Sequence, residues 1–343
     1  MILPTWELII AIIGVALIFD FTNGFHDAAN SIATVVSTKV LSPRQAVAMA
    51  AFFNFVAAAG VGVAVASTIS KIVQLTVVDV NVIPFVILAA LVGAIVWNLI
   101  TWYFGLPSSS SHAIVGGLIG AGVAVAGPAA IKWSVVQTTA IYMVVSPFIG
   151  LIVGFIFMSV IIALTRNVPR ATGDTWAKRL QVVSSAAYSF SHGTNDAQKT
   201  MGIILPLLFS VGYFGLAADP NKLPVPLWVI LIAHTAIALG TLCGGWKIVH
   251  TMGMKITRLK PISGFAAETA GTATVLSASI MGIPVSTTHV ISSSIMGVGT
   301  AMGVNTVRWN VARTLVWAWI LTIPISAVIG YATFTVIRTI IGY

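Results

Sequence analysis

The chain is dominated by apolar runs that are long enough to span a lipid bilayer. They cover residues 5–22, 45–70, 83–104, 135–165, 225–246 and 311–337. A helix needs about 20 apolar residues to cross the hydrocarbon core. The runs are continuous and do not alternate with a period of two, which disfavours a transmembrane β-barrel. With 58% hydrophobic and 7% charged residues, the chain is predicted to be an all-α polytopic membrane protein.

The distribution of charge predicts membrane orientation and not nucleic-acid binding. The net charge is +9, but the basic residues lie in short loops between the apolar runs, as the positive-inside rule requires. The single cysteine, Cys243, excludes a disulfide within the chain and a cysteine-based metal site. Residues 1–22 lack a basic leader and an obvious cleavage site, so they are interpreted as the first helix.

Two polar segments interrupt the apolar pattern at related positions. Residues Asn23–Asn30 and His192–Lys199 superpose when the sequence is shifted by 169 positions, which aligns Asp27 with Asp196. Their glycines and the alanines that follow the aspartates also coincide. Carboxylates at bilayer depth are costly and are by default candidates for function.

A second pair of segments repeats at a shift of 177 positions. Gly105–His112 reads Gly-Leu-Pro-Ser-Ser-Ser-Ser-His, and Gly282–His289 reads Gly-Ile-Pro-Val-Ser-Thr-Thr-His. Matches in the same order at nearly constant offset indicate an internal duplication. We expect a first repeat at residues 1–165, a cytoplasmic linker at 166–180 and a second repeat at 181–343.

The basic residues predict that the two repeats are inverted relative to each other. If each Gly-x-Pro segment is a hairpin, each half crosses the membrane an odd number of times. With the N-terminus outside, the inside loops hold 11 of the 17 Lys and Arg residues and the outside loops hold three. This satisfies the positive-inside rule with both termini outside. The inside loops are residues 38–44, 166–180, 247–262 and 303–310.

The four segments predict broken helices and paired re-entrant helical hairpins. Irregular backbone at membrane depth is tolerated only where it is buried in protein or lines a watery cavity. Interrupted helices at corresponding positions of two inverted halves indicate a transport site near the midplane. The fold is therefore expected to consist of two inverted-topology repeats around such a site.

The hydroxyls of the two hairpin tips form a candidate anion site. Each tip begins a helix whose free N–H groups carry partial positive charge, and hydroxyl donors beside them suit an oxyanion. The alternative is that these residues only cap their helices. Two symmetric tips with three hydroxyls each favour the anion site. The candidate residues are Ser109, Ser110, Ser111, Ser286, Thr287 and Thr288.

The two aspartates form a candidate cation site. A carboxylate beside amide and backbone oxygens is the environment that a hard cation such as sodium prefers. Asp27 and Asp196 are the expected ligands, with Asn23, Asn30 and Asn195 as co-ligands. The aspartates can cap helices at the same time.

Further polar residues in the apolar runs have more than one interpretation. Glu268 is either a cation ligand, a proton-linked acid or a hydrogen-bonded structural acid. Lys199 either contacts the anion or pairs with a carboxylate. His192, Gln198 and Asn54 are further candidates near the cation site. Asp20 belongs either to the site or to a helix interface, and His112 and His289 are expected to hydrogen-bond the hairpins and not to bind metal.

These segments carry the resemblance to a known family. Gly24–Ser31, followed by Ser42-Pro43-Arg44-Gln45-Ala46, resembles the first signature of the inorganic phosphate transporter (PiT) family. Ser191–Gly202 is similar to its second signature in the prokaryotic form, and the two Gly-x-Pro segments are similar to its hairpin motifs. The resemblance covers nearly the whole chain.

The resemblance implies uptake of inorganic phosphate driven by a cation gradient, in the cell's inner membrane and by a homodimer. Members couple to sodium, to protons or to metal–phosphate complexes, and sodium is favoured here, with no other cofactor. The family pattern aligns Asp27, Asp196 and Glu268 with functional acids. Animal members carry a glutamate where this chain has Asn54, and they have a long central domain that is absent here.

Two other function classes, a hydrolase and a channel, agree less well with the sequence. An intramembrane serine hydrolase would need one asymmetric nucleophile, and no Gly-x-Ser-x-Gly elbow is present. An anion channel could use the same duplication, although buried acids favour coupled transport. No phosphate-binding loop of an ATPase is present either, so the chain is predicted to be a secondary transporter and not an enzyme.

Overall fold

A computed structural model describes residues 5–60, 62–215 and 218–342 of the chain. The described residues form α-helices, short 3₁₀ and π segments and connecting turns. Their only extended pairing is one isolated bridge between Val73 and Ile131. In chain order the α-helices are α1 Trp6–Ser37, α2 Pro43–Val56, α3 Ala64–Ile69, α4 Ile83–Tyr103, α5 Ser110–Ala126, α6 Trp133–Leu164, α7 Arg170–Ser210, α8 Leu227–Cys243, α9 Trp246–His250, α10 Pro261–Ile280, α11 Thr287–Met302 and α12 Trp309–Ile341.

The length and composition of the helices confirm an all-α membrane protein. Within the described ranges, five helical segments are long and apolar enough to cross a membrane: α1, α4, α6, α12, and α5 with its extension to Ala130. A sixth span results if α8 and the bent segment Trp246–Lys255 are counted together. Large apolar side chains on α6 and α12 remain exposed, as expected for helices that face lipid.

The two Gly-x-Pro segments end one helix and begin the next by the same local chemistry. Gly105 (φ +64°) and Gly282 (φ +72°) adopt the left-handed conformation after α4 and α10. At the first, the amide of Leu106 donates to the Thr101 carbonyl at 2.9 Å, and at the second Ile283 bonds Ala278 in the same way. This pattern is the Schellman ending, and a proline beyond it cannot continue the helix. The hairpins α4–α5 and α10–α11 therefore follow from the sequence.

The expected interruptions at the two aspartate segments are wrong. Helices α1 and α7 run without a break through Asn23–Asn30 and His192–Lys199. Their glycines serve helix packing instead. A Cβ on Gly24 would lie 2.2 Å from the Ile237 carbonyl oxygen of α8, and a Cβ on Gly193 would lie 2.7 Å from the Asn54 carbonyl oxygen of α2.

Two other expected boundaries also differ. Residues 170–180, which were expected in the linker, form the first turns of α7. The prediction missed these turns because the apolar pattern gave no sign that this basic segment is helical. The expected span at 45–70 consists of two shorter helices, α2 and α3, separated by a 3₁₀ turn and Gly60.

Helices of the two halves pack on each other in reciprocal pairs. α1 packs against α8, and α7 packs against α2; similarly, α5 packs against α12, and α11 packs against α6. In the sequence repeat α1 corresponds to α7, α2 to α8, α5 to α11 and α6 to α12. A helix of one half therefore packs against the counterpart of its own half's neighbour, and the same contact occurs with the two halves interchanged. The two hairpin tips and the centres of α1 and α7 meet between the halves, as the contacts of Ser110, Ser111 and Asn30 described below demonstrate.

Candidate functional site

Asp27 and Asp196 come together in the interior, between α1 and α7. With His192 they offer three ligand atoms that lie within 4.8 Å of one another. All three side chains are buried. The site therefore joins one aspartate from each half, as the sequence repeat predicted, and adds His192, which precedes Asp196 by one helical turn.

The first aspartate is held by a histidine and a hairpin serine. Asp27 Oδ1 lies 2.6 Å from Nδ1 of His26. Its Oδ2 accepts a hydrogen bond from Ser110 Oγ at 3.2 Å. The other ring nitrogen of His26 lies 3.2 Å from the Thr101 hydroxyl of α4. Asp27 is thus tied to both helices of the first hairpin, and its immediate counter-charge depends on the protonation of His26.

The second aspartate is held by a lysine. Lys199 Nζ lies 2.6 Å from Asp196 Oδ1, one helical turn along α7. Asp196 Oδ2 accepts from Asn23 Nδ2 at 3.4 Å and from the Thr287 hydroxyl at 3.5 Å. The imidazole Nε2 of His192 lies 3.5 Å from the same oxygen. The lysine ammonium in the place of an imidazole makes this half of the site different from the half at Asp27.

Lys199 also connects the second half to both hairpin tips. Its ammonium donates to the Ser111 hydroxyl and, at 3.3 Å, to the carbonyl oxygen of Val285. Ser111 in turn donates to the same Val285 carbonyl at 3.1 Å. Of the two interpretations of Lys199, carboxylate pairing is observed, and the contact with Ser111 places the ammonium at the candidate anion site as well.

The six hydroxyls of the hairpin tips divide into two groups. Ser109 and Ser286 cap α5 and α11 by accepting from the amides of His112 at 3.2 Å and His289 at 3.1 Å. For these two residues the capping alternative describes the structure. The other four hydroxyls contact the aspartate, asparagine and lysine side chains of the site: Ser110, Ser111, Thr287 and Thr288.

The asparagines of the first segment bridge the halves. Asn30 donates to Thr288 at 3.0 Å and to Thr287 at 3.3 Å, so α1 is bonded to the second hairpin. Asn23 accepts from Ser110 of the first hairpin and donates to Asp196. Both expected co-ligands therefore lie at the site.

Other candidates lie elsewhere. Asn195 donates to Ser279 of α10 at 2.9 Å, away from Asp27. Gln198 accepts from the amide of Val65 at 2.8 Å and so caps the start of α3. Glu268 accepts from Thr34 of α1 and Ser184 of α7, and has no bond to either aspartate.

Asn54 acts on the site indirectly. Its Oδ1 lies 3.1 Å from Nδ1 of His192, and its Nδ2 donates to Thr241 of α8 at 2.8 Å. Asn54 therefore orients the imidazole that faces Asp196. The neutral amide occupies this position without needing a counter-charge.

The two hairpin histidines stack on each other instead of entering the cation site. The ring centroids of His112 and His289 are 4.5 Å apart, and His289 stacks on Trp319 at 4.1 Å. His112 Nδ1 bonds the Ser109 hydroxyl at 2.6 Å. This agrees with the structural interpretation of both residues.

Sequence reasoning missed two residues of the site. His26, the direct partner of Asp27, lies within the repeated segment, and its position next to the aspartate was a signal for this role. The Tyr188 hydroxyl donates to the Thr287 carbonyl at 2.8 Å and holds the second tip. Nothing in its local sequence distinguishes Tyr188 from an ordinary core aromatic.

The arrangement suits the joint binding of an anion and a cation. The starts of α5 and α11, the four hydroxyls and Lys199 supply donors for an oxyanion. Asp27 and Asp196 supply carboxylate oxygens for a cation. Ser110 bonds Asp27, and both Thr287 and Lys199 bond Asp196. Because the two sets are in direct contact, occupancy of one set alters the charge that the other set faces.

The sequence pattern of the phosphate transporter family matches residues 23–330. The chain belongs to the phosphate transporter family. It is 52% identical over 327 residues to a Rhizobium meliloti protein named "Probable low-affinity inorganic phosphate transporter", and the match covers 95% of each chain. A Bacillus subtilis protein of the same name is 45% identical, over 97% of this chain and 98% of its own.

A solved structure shares the fold of this family member. It is described as "The sodium-dependent phosphate transporter", has a TM-score of 0.86 and 27% sequence identity, and matches 97% of this chain and all of its own. The relatives are named as transporters, so the chain is a transporter and not an enzyme, as the sequence predicted.

Proposed function

We propose that this transporter imports inorganic phosphate together with a cation, with sodium as the favoured cation. The main support for this proposal is that both hairpin tips converge on the two aspartates and Lys199. A tetrahedral oxyanion would receive hydrogen bonds from Ser110, Ser111, Thr287 and Thr288 and from the amides at the starts of α5 and α11. The names of the relatives support phosphate as the anion.

The proposed sodium site is centred on Asp27 and Asp196. Asn23, Asn30 and His192 surround it, and the cation would offset the negative charge that the anion brings to this buried position. The name of the solved relative supports sodium. Asn195 and Glu268 would take part only after a rearrangement, because their present partners are Ser279 for the first and Thr34 and Ser184 for the second.

Transport would proceed by alternating access between two inverted repeats. The reciprocal packing of α1 with α8 and α7 with α2 supports the duplication. Contacts such as Asn30–Thr288 and Ser111–Lys199 cross between the halves and would break and form as one half moves against the other. The location in the cell's inner membrane, the outside position of both termini and assembly as a homodimer are parts of the same proposal.

Proton coupling is the second candidate, and one observation favours it. His26 lies 2.6 Å from Asp27, so a proton on the imidazole would place a positive charge where sodium is otherwise proposed. A proton-coupled transporter would use the same anion site.

Uptake under separate gradients distinguishes the candidates. Purified protein in liposomes is given labelled phosphate under an inward sodium gradient at equal pH, or under a pH gradient without sodium. Accumulation above equilibrium in the sodium arm alone is expected. Accumulation with the pH gradient alone would replace sodium by protons, and equilibration in both arms would indicate a channel and contradict coupled transport.

A further inference from the structure

Two basic loops of the second half, residues 247–262 and 303–310, lie side by side in the structure. The amide of Arg308 donates to the Ile256 carbonyl at 2.9 Å, so the loops are bonded to each other. Both loops were predicted to lie inside. Their basic residues, which are distant in the sequence, therefore come together at one end of the molecule.

Two adjoining cavities open along this contact. The first, of about 480 Å³, lies beside the end of α4, and the second, of about 680 Å³, lies beside the start of α12. His250 and Lys255 line both, so the cavities form one continuous cleft. Lys247 lines the first cavity, and Arg258 and Arg308 line the second. These five residues define the basic cleft.

No carboxylate balances the charge of the basic cleft. Neither cavity is lined by an acid. The sequence has no Asp or Glu between Asp219 and Glu268 or after Glu268, and Glu268 is buried and bonded to Thr34 and Ser184. None of the Lys and Arg side chains of the cleft forms an ion pair with a described residue. A cleft lined by one sign of charge attracts the opposite sign, here an anion.

Exposed aromatic and apolar side chains share the cleft with these charges. Tyr103, Phe104 and Trp246 line the first cavity and Met254 lines the second, and all four are exposed. The Lys247 ammonium lies 4.7 Å from the centroid of the Tyr103 ring and donates to the Tyr103 carbonyl at 3.1 Å. Aromatic rings beside basic groups are typical of the boundary between membrane and water. A free phosphate ion or a soluble acidic protein would use the charge but not this apolar rim.

We propose that the basic cleft binds an anionic phospholipid of the surrounding leaflet. The phosphate group lies between Lys255, Arg258 and Arg308, and the acyl chains lie against the exposed aromatic side chains. Because the cleft joins the end of α4 in the first half to α9 and α12 in the second, the bound lipid contacts both halves. The inference goes beyond the proposed phosphate uptake and does not depend on the cation that drives it.

Lipid binding to the purified protein tests this inference. Protein stripped of lipid in a neutral detergent receives phosphatidylglycerol or phosphatidylcholine with the same acyl chains, and bound lipid is counted by native mass spectrometry. The wild type should prefer phosphatidylglycerol. The variant Lys255→Gln/Arg258→Gln/Arg308→Gln should bind phosphatidylglycerol at least about tenfold more weakly, because basic residues near the surface attract anionic lipid.

Arg166→Gln/Arg170→Gln/Lys178→Gln is the matched control. It removes the same number of Arg and Lys residues from exposed positions that are also predicted inside or next to the inside linker, and these residues line neither cavity. It should bind phosphatidylglycerol like the wild type. An equal loss in both variants, or no loss in the cleft variant, overturns the proposal.

Two further outcomes would assign the cleft to another ligand. Displacement of phosphatidylglycerol by excess inorganic phosphate at constant ionic strength would make it a site for soluble phosphate. Equal binding of the two lipids by the wild type would leave the charge for a soluble acidic partner. Either result overturns the lipid site, and neither affects the proposed transport function, because no uptake is measured.

Thermal unfolding in detergent shows whether the variants are folded. The three substituted side chains of the cleft are exposed, so the variant should unfold at the wild-type temperature without lipid. Added phosphatidylglycerol should raise the unfolding temperature of the wild type and the control more than that of the cleft variant. Lys255→Gln, whose side chain lines both cavities, is a milder variant and should weaken binding about fivefold. Wild-type binding by Lys255→Gln contradicts the assignment of the phosphate group.

Discussion

Asp27 and Asp196 occupy equivalent positions of the sequence repeat but have different counter-charges. Asp27 is paired with the imidazole of His26, whereas Asp196 is paired with the ammonium of Lys199. The duplicated backbone thus brings two carboxylates to one place, and substitutions at neighbouring positions make the two halves electrostatically unequal.

The largest expected effect comes from Asp196→Asn. Removing this carboxylate leaves the buried Lys199 ammonium without its ion-pair partner, which should lower the free energy of unfolding by about 3–5 kcal/mol. Phosphate uptake should be lost. Thermal unfolding in detergent and uptake in liposomes measure the two effects. The double variant Asp196→Asn/Lys199→Met should recover most of the stability without recovering transport; a single variant as stable as the wild type would contradict the pairing.

Asp27→Asn should be less destabilising, although uptake is again lost. A neutral imidazole at His26 can bond an amide, so the variant leaves only a weakened hydrogen bond, worth about 1–2 kcal/mol. The same unfolding and uptake measurements apply. If Asp27→Asn destabilised the protein as much as Asp196→Asn, the proposed inequality of the two halves would be wrong.

Gly24 and Gly193 allow the two segments to be compared by the loss of stability that an added methyl group causes through packing alone. Gly24→Ala and Gly193→Ala should each lower the free energy of unfolding by about 1–3 kcal/mol through overpacking. The effect should be larger at Gly24, where the added Cβ would lie 2.2 Å from a backbone oxygen, against 2.7 Å at Gly193. For Gly14→Ala, on the same helix as Gly24, no atom of another described residue, apart from the adjoining helix backbone, lies within 4 Å of the added Cβ, so this variant should be neutral or slightly stabilising. Equal unfolding temperatures for all three variants would contradict the packing role.

The smallest effects are expected within one hairpin tip. Ser109→Ala removes a helix cap and should cost about 1 kcal/mol of stability, with little change in the phosphate concentration for half-maximal uptake. Ser110→Ala removes a hydroxyl that contacts Asn23 and Asp27 and should raise that concentration about tenfold, the equivalent of about 1.4 kcal/mol. Reversed results for the two serines would place the anion elsewhere.

Features that depend on contacts within a few residues were predictable from the sequence, whereas features that depend on contacts between distant helices were not. The hairpins were predictable because Gly105 and Gly282 with the following prolines end a helix by contacts within a few residues. The breaks at Asn23–Asn30 and His192–Lys199 were wrongly predicted, because polar residues with glycine resemble an interruption. The structure shows that α1 and α7 continue through these segments, and that their glycines pack against α8 and α2.

The sequence by itself determined that this chain is an all-helical membrane protein with two hairpins and with one aspartate in the repeated polar segment of each half. Apolar length, turn chemistry and an internal repeat are local or periodic properties, and they can be recognised without a partner. The tertiary structure decided which polar residues meet: it joined Asp27, His192 and Asp196 and assigned Gln198 to a helix cap. Contacts between distant helices depend on their rotation and depth, which adjacent residues do not specify.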